Sequence, residues 1–558
     1  MRLHLSKSYL WIPVEKEGPE VKLHFYVNGD KVQEIDVRLG GTKGDFYTAI
    51  DVSCWLGREL EIRSSVPDMA LNGIDSHDER PRNKYPFRPH LHFAPEIGWS
   101  NDPNGLVYDA GVYHLFYQWN PYGVIWGNMH WGHAVSRDLL HWEHREAAIT
   151  PNEHGTAYSG CGWIDKKNTA KYGKNALLFY YTAAGGRNQW SLEKGNLFTQ
   201  RMQISLDGGD TLQSRDDFLM EHVMGENRDP KVLYHRESGA YNMVLYLDEN
   251  LFSVYRSGDL LHWVETQRLS LKGMRECPDL FELPVVNSEN ERKWVFWSAD
   301  GFYAVGAFDG YTFTPETEVQ EAYGTQLPYA AQTYAGVSDR VISVAWLRMQ
   351  NDRGNYRGVM SLPAELYLVR QGTEYRIGFR PVKELEALRQ PQGEWNLEGA
   401  ESRTLRNEEG AGSGQSGMSR CREAGQDRNS VEDNWCRQIE LRGEPVEIRI
   451  SWSAQDSGQT KLSLGQSVIV MDFAGKKVYL YAGEKKTELC KGMIRNDGPL
   501  DLQFIIDQEV IEFYGCGGTA YGALETEEDV LHKKLKIEST AEILSMRWFE
   551  LREDSMEE

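Results

Sequence analysis

Three acidic residues stand in company that suggests chemistry. Asp102 lies in Trp99-Ser100-Asn101-Asp102-Pro103-Asn104-Gly105, Asp229 in Asn227-Arg228-Asp229-Pro230, and Glu276 in Arg275-Glu276-Cys277-Pro278-Asp279. Each falls near a proline in an aromatic-rich setting at the margin of a predicted strand. Such punctuation fixes the backbone and aims a side chain, whereas a solvated carboxylate needs no such support. Hydrolysis of a glycosidic bond calls for two carboxyl groups, one ionised and one protonated, because the leaving oxygen must receive a proton as an oxocarbenium-like centre develops. Crowding the acids raises the pKa of one of them, and a third can hold sugar hydroxyls. Taken singly, each motif also reads as an ordinary Asx-Pro turn. The three together carry more weight.

For these acids to meet, separate elements must bring them to one place. From His92 to about Leu368 the chain is a succession of short aromatic and β-branched runs, such as Ala176 to Thr182, Tyr241 to Leu247, Trp294 to Trp297 and Val341 to Leu347, parted by Gly, Asn and Asp turns. The string Ser136-Arg137-Asp138-Leu139-Leu140-His141-Trp142 returns 121 residues later as Ser257-Gly258-Asp259-Leu260-Leu261-His262-Trp263. A repeated phrase at a fixed interval marks a propeller, and this interval suits two blades, so residues 86–372 are expected to form about five. The three acids, 127 and 47 residues apart, would then project from different blades into one axial funnel.

Residues 1–85 alternate around an Asn28-Gly29 turn, with Val21, Leu23, Phe25 and Val27 on one face, as expected of a small antiparallel β domain. Residues 373–391 are expected to be a linker, with a short helical connector from Pro381 to Arg389. Residues 392–558 return to strict alternation in Val446, Ile448, Ile450 and Trp452 and again from Leu502 to Phe513, the pattern of a β-sandwich. Within that span, 408–430 lack large apolar side chains and are expected to be a mobile loop. The fold class is therefore all-β.

Composition narrows the partners. With 83 acidic against 61 basic residues the formal charge is −22, which repels nucleic acid and anionic membrane surfaces. Aromatic residues reach 11% with 17 Trp, which suits stacking on sugar faces as well as filling a β core. No apolar run approaches a membrane span, and the opening residues lack a secretory stretch, so a cytoplasmic location is expected. Seven cysteines without a C-x-x-C pair suggest reduced thiols and no zinc ribbon. His130, His133, His141 and His144 lack metal-ligand spacing, and neither a metal nor another cofactor is expected.

The same residues carry a family resemblance. The chain resembles glycoside hydrolase family 32, the β-fructosidases that include invertases, exo-inulinases and levanases. The resemblance runs through W-S-N-D-P-N-G, Phe116-Tyr117-Gln118-Trp119-Asn120-Pro121, the Trp126 to His133 segment, Arg228-Asp229-Pro230, Glu276-Cys277-Pro278-Asp279, Tyr329-Ala330-Ala331-Gln332 and Arg357 to Leu366. It departs at Ala364, where the family usually has arginine, and at Trp346-Leu347-Arg348-Met349, which lacks a second tryptophan.

The resemblance implies a five-bladed β-propeller on a C-terminal β-sandwich, with the small N-terminal β domain as an addition. It implies retaining release of terminal β-D-fructofuranosyl units from sucrose or fructo-oligosaccharides. Asp102 would be the nucleophile, Glu276 the general acid and base, and Asp229 the transition-state stabiliser, kept ionised by Arg228. Asn101, Gln118, Trp126, Tyr158 and Ser159 would line the sugar pocket, and Cys277 would tune the acid. A fructosyltransferase using the same intermediate and a non-catalytic carbohydrate-binding protein are the rival readings. A homo-oligomer stays open.

Overall fold

The structure, a computed structural model, describes residues 1–82, 88–350, 352, 354–396, 435–453, 457–475, 477–482, 485–489, 500–526 and 529–553. The expected junction at 85–86 and the expected mobile loop at 408–430 lie outside these residues.

In the N-terminal unit, Glu20–Val27 and Asp30–Arg38 form the hairpin that the alternation predicts, turning through left-handed Asn28 and Gly29. Val21, Leu23, Phe25 and Val27 are all buried, since a strand's alternate side chains share a face. That hairpin continues through Glu59–Ser64 to Arg2–His4, and a second sheet orders Phe46–Asp51, Tyr9–Val14 and Asp75–His77. One apolar core joins the two sheets, and it also takes in Tyr122 and Val124 from the next unit.

Five antiparallel sheets follow, each built from consecutive strands. Sheet I runs from Gly98–Asp109 to Glu143–Ile149, and sheet II from Thr156–Asp165 to Gln213–Met220. Sheet III runs from Arg228–His235 to Val264–Ser270, and sheet IV from Asp279–Pro284 to Phe313–Pro315. Sheet V orders Pro328–Thr333, Val341–Leu347, Ala364–Gln371 and Glu374–Pro381. The first strand of each sheet contacts the first strand of the next, and that of sheet V returns to that of sheet I, closing a ring. Tyr356–Arg357 crosses back and pairs in parallel with Gly98 and Trp99.

The sequence echo has a physical cause. Ser136 and Ser257 each close the third strand of a sheet, and their hydroxyls accept the N–H of Leu139 and Leu260 at 2.8 and 2.9 Å. Asp138 and Asp259 accept the following N–H groups and the Nδ1 of His141 and His262. Both leucines sit in left-handed backbone, at φ 70 and 68°. Sheets II and IV turn on Asp207 and Asp309 at the same place with different neighbours, so only the first pair was visible as a repeat.

The linker expected at 373–391 is corrected. Glu374–Pro381 pairs along its whole length with Ala364–Gln371, because Tyr375, Ile377 and Phe379 bury one face in the core of the ring. Arg389–Asn396 already belongs to the last unit. Only 382–388 remain between them, and they hold the 3₁₀ turn Lys383–Leu388. Beyond it, two six-stranded sheets share one core that includes Ile448, Ile450, Trp452, Phe504, Leu462 and Met471. The expectation of reduced thiols also fails at one position, since Cys436 is held in a disulfide. Among the described residues no helix is long and apolar enough to cross a membrane.

A buried ionic lock joins the ring to these last sheets. His92 Nδ1 meets Asp507 Oδ2 at 2.9 Å and its Nε2 meets Glu512 Oε1 at 3.2 Å, with all three side chains fully buried. Burial alone would push the imidazole down, but the hydrogen bonds it donates to both carboxylates outweigh it and raise the pKa to about 9. Burial likewise pushes Asp507 up, and the bonds from His92 and from the His90 and Leu91 N–H groups bring it down to about 2. The stabilisation from His92 is therefore full below pH 6.5 and lost as pH rises through about 9; that from Asp507 is full above 3.8 and lost as pH falls through about 2. Replacing His92 with leucine takes from two buried carboxylates the cation they share and leaves them their backbone donors, and breaking one side of such a pair costs about 3–5 kcal/mol. Urea unfolding at pH 7 checks this, and a loss under about 1 kcal/mol would show that the lock holds little.

Candidate active site

The first strands of four sheets are each interrupted at the mouth of the ring. Register shifts fall between Ser100 and Pro103, Ala157 and Gly160, Arg228 and Lys231, and Tyr329 and Gln332. A bulge re-aims the side chains it carries, and these carry Asn101, Asp102, Tyr158, Ser159, Asp229 and Ala330. Three non-glycine residues here adopt left-handed backbone: Asp229 at φ 63°, Cys277 at 52° and Ala330 at 51°. Each costs roughly 1–2 kcal/mol, and such strain persists only where the surroundings impose it.

The acids converge. Asp102 Oδ2 accepts from Ser159 Oγ at 2.7 Å and from Cys277 Sγ at 3.7 Å, and its Oδ1 accepts from Asn101 Nδ2 at 3.2 Å. Asn101 is in turn oriented by Trp99, whose indole N–H donates to it at 3.0 Å. Asp229 Oδ2 accepts the Cys277 N–H at 2.9 Å, and its own N–H donates to Thr182 Oγ1 at 3.1 Å. Glu276 Oε2 accepts from Arg228 Nε at 3.1 Å and from Nη2, while Tyr329 donates its hydroxyl to Oε1. Cys277 thus follows one acid in sequence and bonds the other two.

All three carboxylates line one cavity of about 360 Å³, together with Asn101, Gln118, Trp126, Tyr158 and Arg228. That volume lies within the range of about 300 to 1,000 Å³ usual for small-molecule pockets. Gln118 donates to the Ala157 carbonyl at 2.8 Å, and Tyr158 meets Trp126 edge-on with ring centres 6.0 Å apart. Trp126 is 51% exposed, an apolar plane left open at the rim.

Four further lining residues, Arg187, Glu226, Tyr329 and Trp346, were not assigned to the site from sequence, although the segments of the last two were noted. Tyr329 had a visible signal in its Tyr-Ala-Ala-Gln motif. Arg187 and Glu226, paired with each other across the rim, had none. Arg348 stacks over Tyr329 at 4.4 Å, beside Trp346.

The electrostatics follow from burial and crowding. Burial, then the charge of Glu276, pushes Asp102 up from the usual carboxylate range. Burial pushes Asp229 up to about 7, with Arg228 opposing and Glu276 and Asp102 adding. Arg228 thus favours the ionised form of Asp229, as expected, but burial works against it. The guanidinium places two N–H groups on Glu276, while Asp229 lies 3.7 Å from Nε, because the bulge after Arg228 sends adjacent side chains in different directions. Burial and the neighbouring carboxylates hold the Cys277 thiol well above its ordinary pKa, so it stays a neutral donor.

Known proteins share this fold. Residues 92–379 match the family described as the glycosyl hydrolases family 32 N-terminal domain. The levanase of Bacillus subtilis (strain 168) is 36% identical over 347 residues, which is 55% of this chain and 49% of that protein. The chain thus spans about half of that relative. The extracellular exo-inulinase of Aspergillus awamori is 27% identical over 81% of this chain and 91% of its own length. A crystal structure of exo-inulinase from that organism superimposes with a TM-score of 0.69 at 22% identity, covering 84% of this chain and all of the other. A glycoside hydrolase family 32 structure from Bifidobacterium adolescentis gives 0.63 at 18% identity over 99% of both chains. With the family match spanning more than half of its residues, this chain belongs to glycosyl hydrolase family 32.

Proposed function

We propose that the chain hydrolyses terminal β-D-fructofuranosyl units of sucrose or fructo-oligosaccharides with retention of configuration. The observation that carries the reading is the meeting of Asp102, Asp229 and Glu276 at one cavity through Cys277. The names of the relatives, levanase, exo-inulinase and invertase, support β-fructosides as the substrate class. We read the five sheets as propeller blades, with units at 1–82, 88–381 and 389–553, the last a β-sandwich. The disulfide at Cys436 weighs toward an oxidising compartment and against the cytoplasmic expectation.

In this mechanism ionised Asp102 attacks the anomeric carbon, its carboxylate steadied by Ser159, Asn101 and Cys277. Protonated Glu276 gives its proton to the departing oxygen, and a fructosyl ester forms on Asp102. Glu276, now ionised, removes a proton from water, which attacks the same carbon and frees Asp102. Arg228 and Tyr329 hold the Glu276 carboxyl in place, and Asp229 binds sugar hydroxyls as charge develops on the ring. Trp126 and Tyr158 supply apolar faces, and Gln118 rests against the strand that carries Ser159.

Incubation with sucrose tests this reading. Glucose and fructose released in equal amounts are expected. Glucose in excess would favour the transferase that shares the intermediate, and sugar bound without turnover would favour a binding protein. A second expectation concerns Cys277. Its thiol donates to the charged form of Asp102, and loss of such a donor raises a carboxyl pKa. The acidic limb of kcat/KM should therefore move to higher pH in Cys277→Ala, and an unmoved limb would show that the thiol only fills space.

A further inference from the structure

A second cavity, of about 230 Å³, adjoins the catalytic one, and Trp126 and Arg187 stand in the walls of both. Its far wall comes from the N-terminal unit through Lys16, Glu20, Asp36 and Arg38. The near wall is the 120–129 loop that carries Trp126, together with Thr156. The N-terminal unit does more than abut this loop. Asn128 donates its amide to the Asp36 carbonyl at 2.7 Å and accepts the Asp36 N–H at 2.8 Å, as a paired strand would. Gln33 donates to the Tyr122 hydroxyl at 2.9 Å, and Glu34 accepts the Gln189 N–H at 2.7 Å, next to the segment bearing Arg187. One strand thereby holds both loops that shape the rim.

Two observations point to a ligand. Thr156 is 5% exposed, and its hydroxyl has no hydrogen-bond partner among the described residues; a buried hydroxyl left so is unfavourable. The volume falls below the range of about 300 to 1,000 Å³ that encloses a whole small molecule, so the cavity suits part of a ligand anchored next door. Three cations face two carboxylates. Lys16 is paired to Asp352 at 2.8 Å, Arg187 to Glu226 and Asp36 to Lys22 at 2.6 Å, while Arg38 donates to the Lys16 carbonyl. Cations already engaged in this way favour neutral hydroxyls over an anion.

We propose that this cavity is a distal subsite for the leaving-group sugars of an oligofructoside whose terminal unit lies at Asp102. The proposal rests on the fructosidase reading. It gives the N-terminal unit a part in chain-length preference. Gly123 lines the cavity, and a Cβ added there would meet only the Asn120 amide nitrogen, at 3.8 Å, so the side chain of Gly123→Leu starts in open space and occupies the cavity. Thr156→Val removes the hydroxyl at constant volume.

Kinetics on sucrose and on the tetrasaccharide nystose test the proposal. Each variant should lose about five-fold or more in kcat/KM on nystose, the size of one ordinary hydrogen bond, and stay within about two-fold on sucrose. Equal losses on both sugars, or none on nystose, overturn the subsite while leaving the fructosidase reading intact. A selective loss on sucrose 6-phosphate instead would make the cavity an anion site and overturn it too. A wild-type protein that cleaves neither sugar overturns the function and the subsite together.

Discussion

Asp102→Asn should lower kcat on sucrose by about 10,000-fold or more, the scale on which loss of a nucleophile acts. The amide keeps the shape of the carboxylate, so Asn101 and Ser159 stay nearby, but it cannot form the fructosyl ester. One negative charge leaves a cavity where it had helped push Asp229 up, so Asp229 should titrate lower in this variant. Rapid quenching with mass spectrometry checks the main point: an ester on residue 102 is expected in the wild type and none in the variant. Near-normal turnover by the variant would remove Asp102 from the nucleophile role.

The second large effect belongs to Glu276. General acid–base assistance contributes about 100- to 10,000-fold, and Glu276→Gln should lose that much on sucrose, whose leaving oxygen needs a proton. An aryl fructoside with an activated leaving group should lose far less in its first step, although its ester should then accumulate for want of a base. Equal losses on both would exclude the acid role. Replacement also strips Arg228 of the carboxylate that holds two of its N–H groups. Glutamine copies the neutral, protonated Glu276 of the active enzyme, so the acidic limb should keep its place while the basic limb, which reports Glu276, disappears.

The legible part of this site was local. Aspartate next to proline in an aromatic setting marks a strand edge where a side chain is aimed, and Asp102 and Asp229 sit on bulges of that kind. What stayed hidden depended on how distant segments meet. Arg228 neighbours Asp229 in the chain and faces it at 3.7 Å, but its guanidinium also bonds an acid 48 residues away, which only the fold brings to it. Arg187 and Glu226 lie in loops with no pattern of their own. In the fold, the hairpin of residues 20–38 was readable from alternation alone, whereas its grip on Tyr122, Asn128 and Gln189 needed coordinates. The strand Glu374–Pro381 was mistaken for a connector because its short apolar alternation stands next to a turn. Within the final sheets Val446, Ile448, Ile450 and Trp452 are buried as their alternation predicts, but Glu447 on the other face is buried as well, paired with Arg389.

The parallel pairing of Tyr356–Arg357 with Gly98 and Trp99 bears on how the molecule is born. The Asn355 carbonyl accepts the Gly98 N–H at 2.7 Å, and Arg357 lies 5.1 Å over the Trp99 ring, three residues from the nucleophile candidate. Until the ribosome has released those late residues, the leading edge of sheet I has open hydrogen-bonding groups at Gly98 and Trp99, and the catalytic strand is flanked on one side alone. Contacts so remote along the chain are slow to form, and an unpaired edge invites partners from other chains. Competence for catalysis should therefore arrive last and all at once, and translation halted before residue 355 should leave material that clumps, however much of the N-terminal hairpin has already folded.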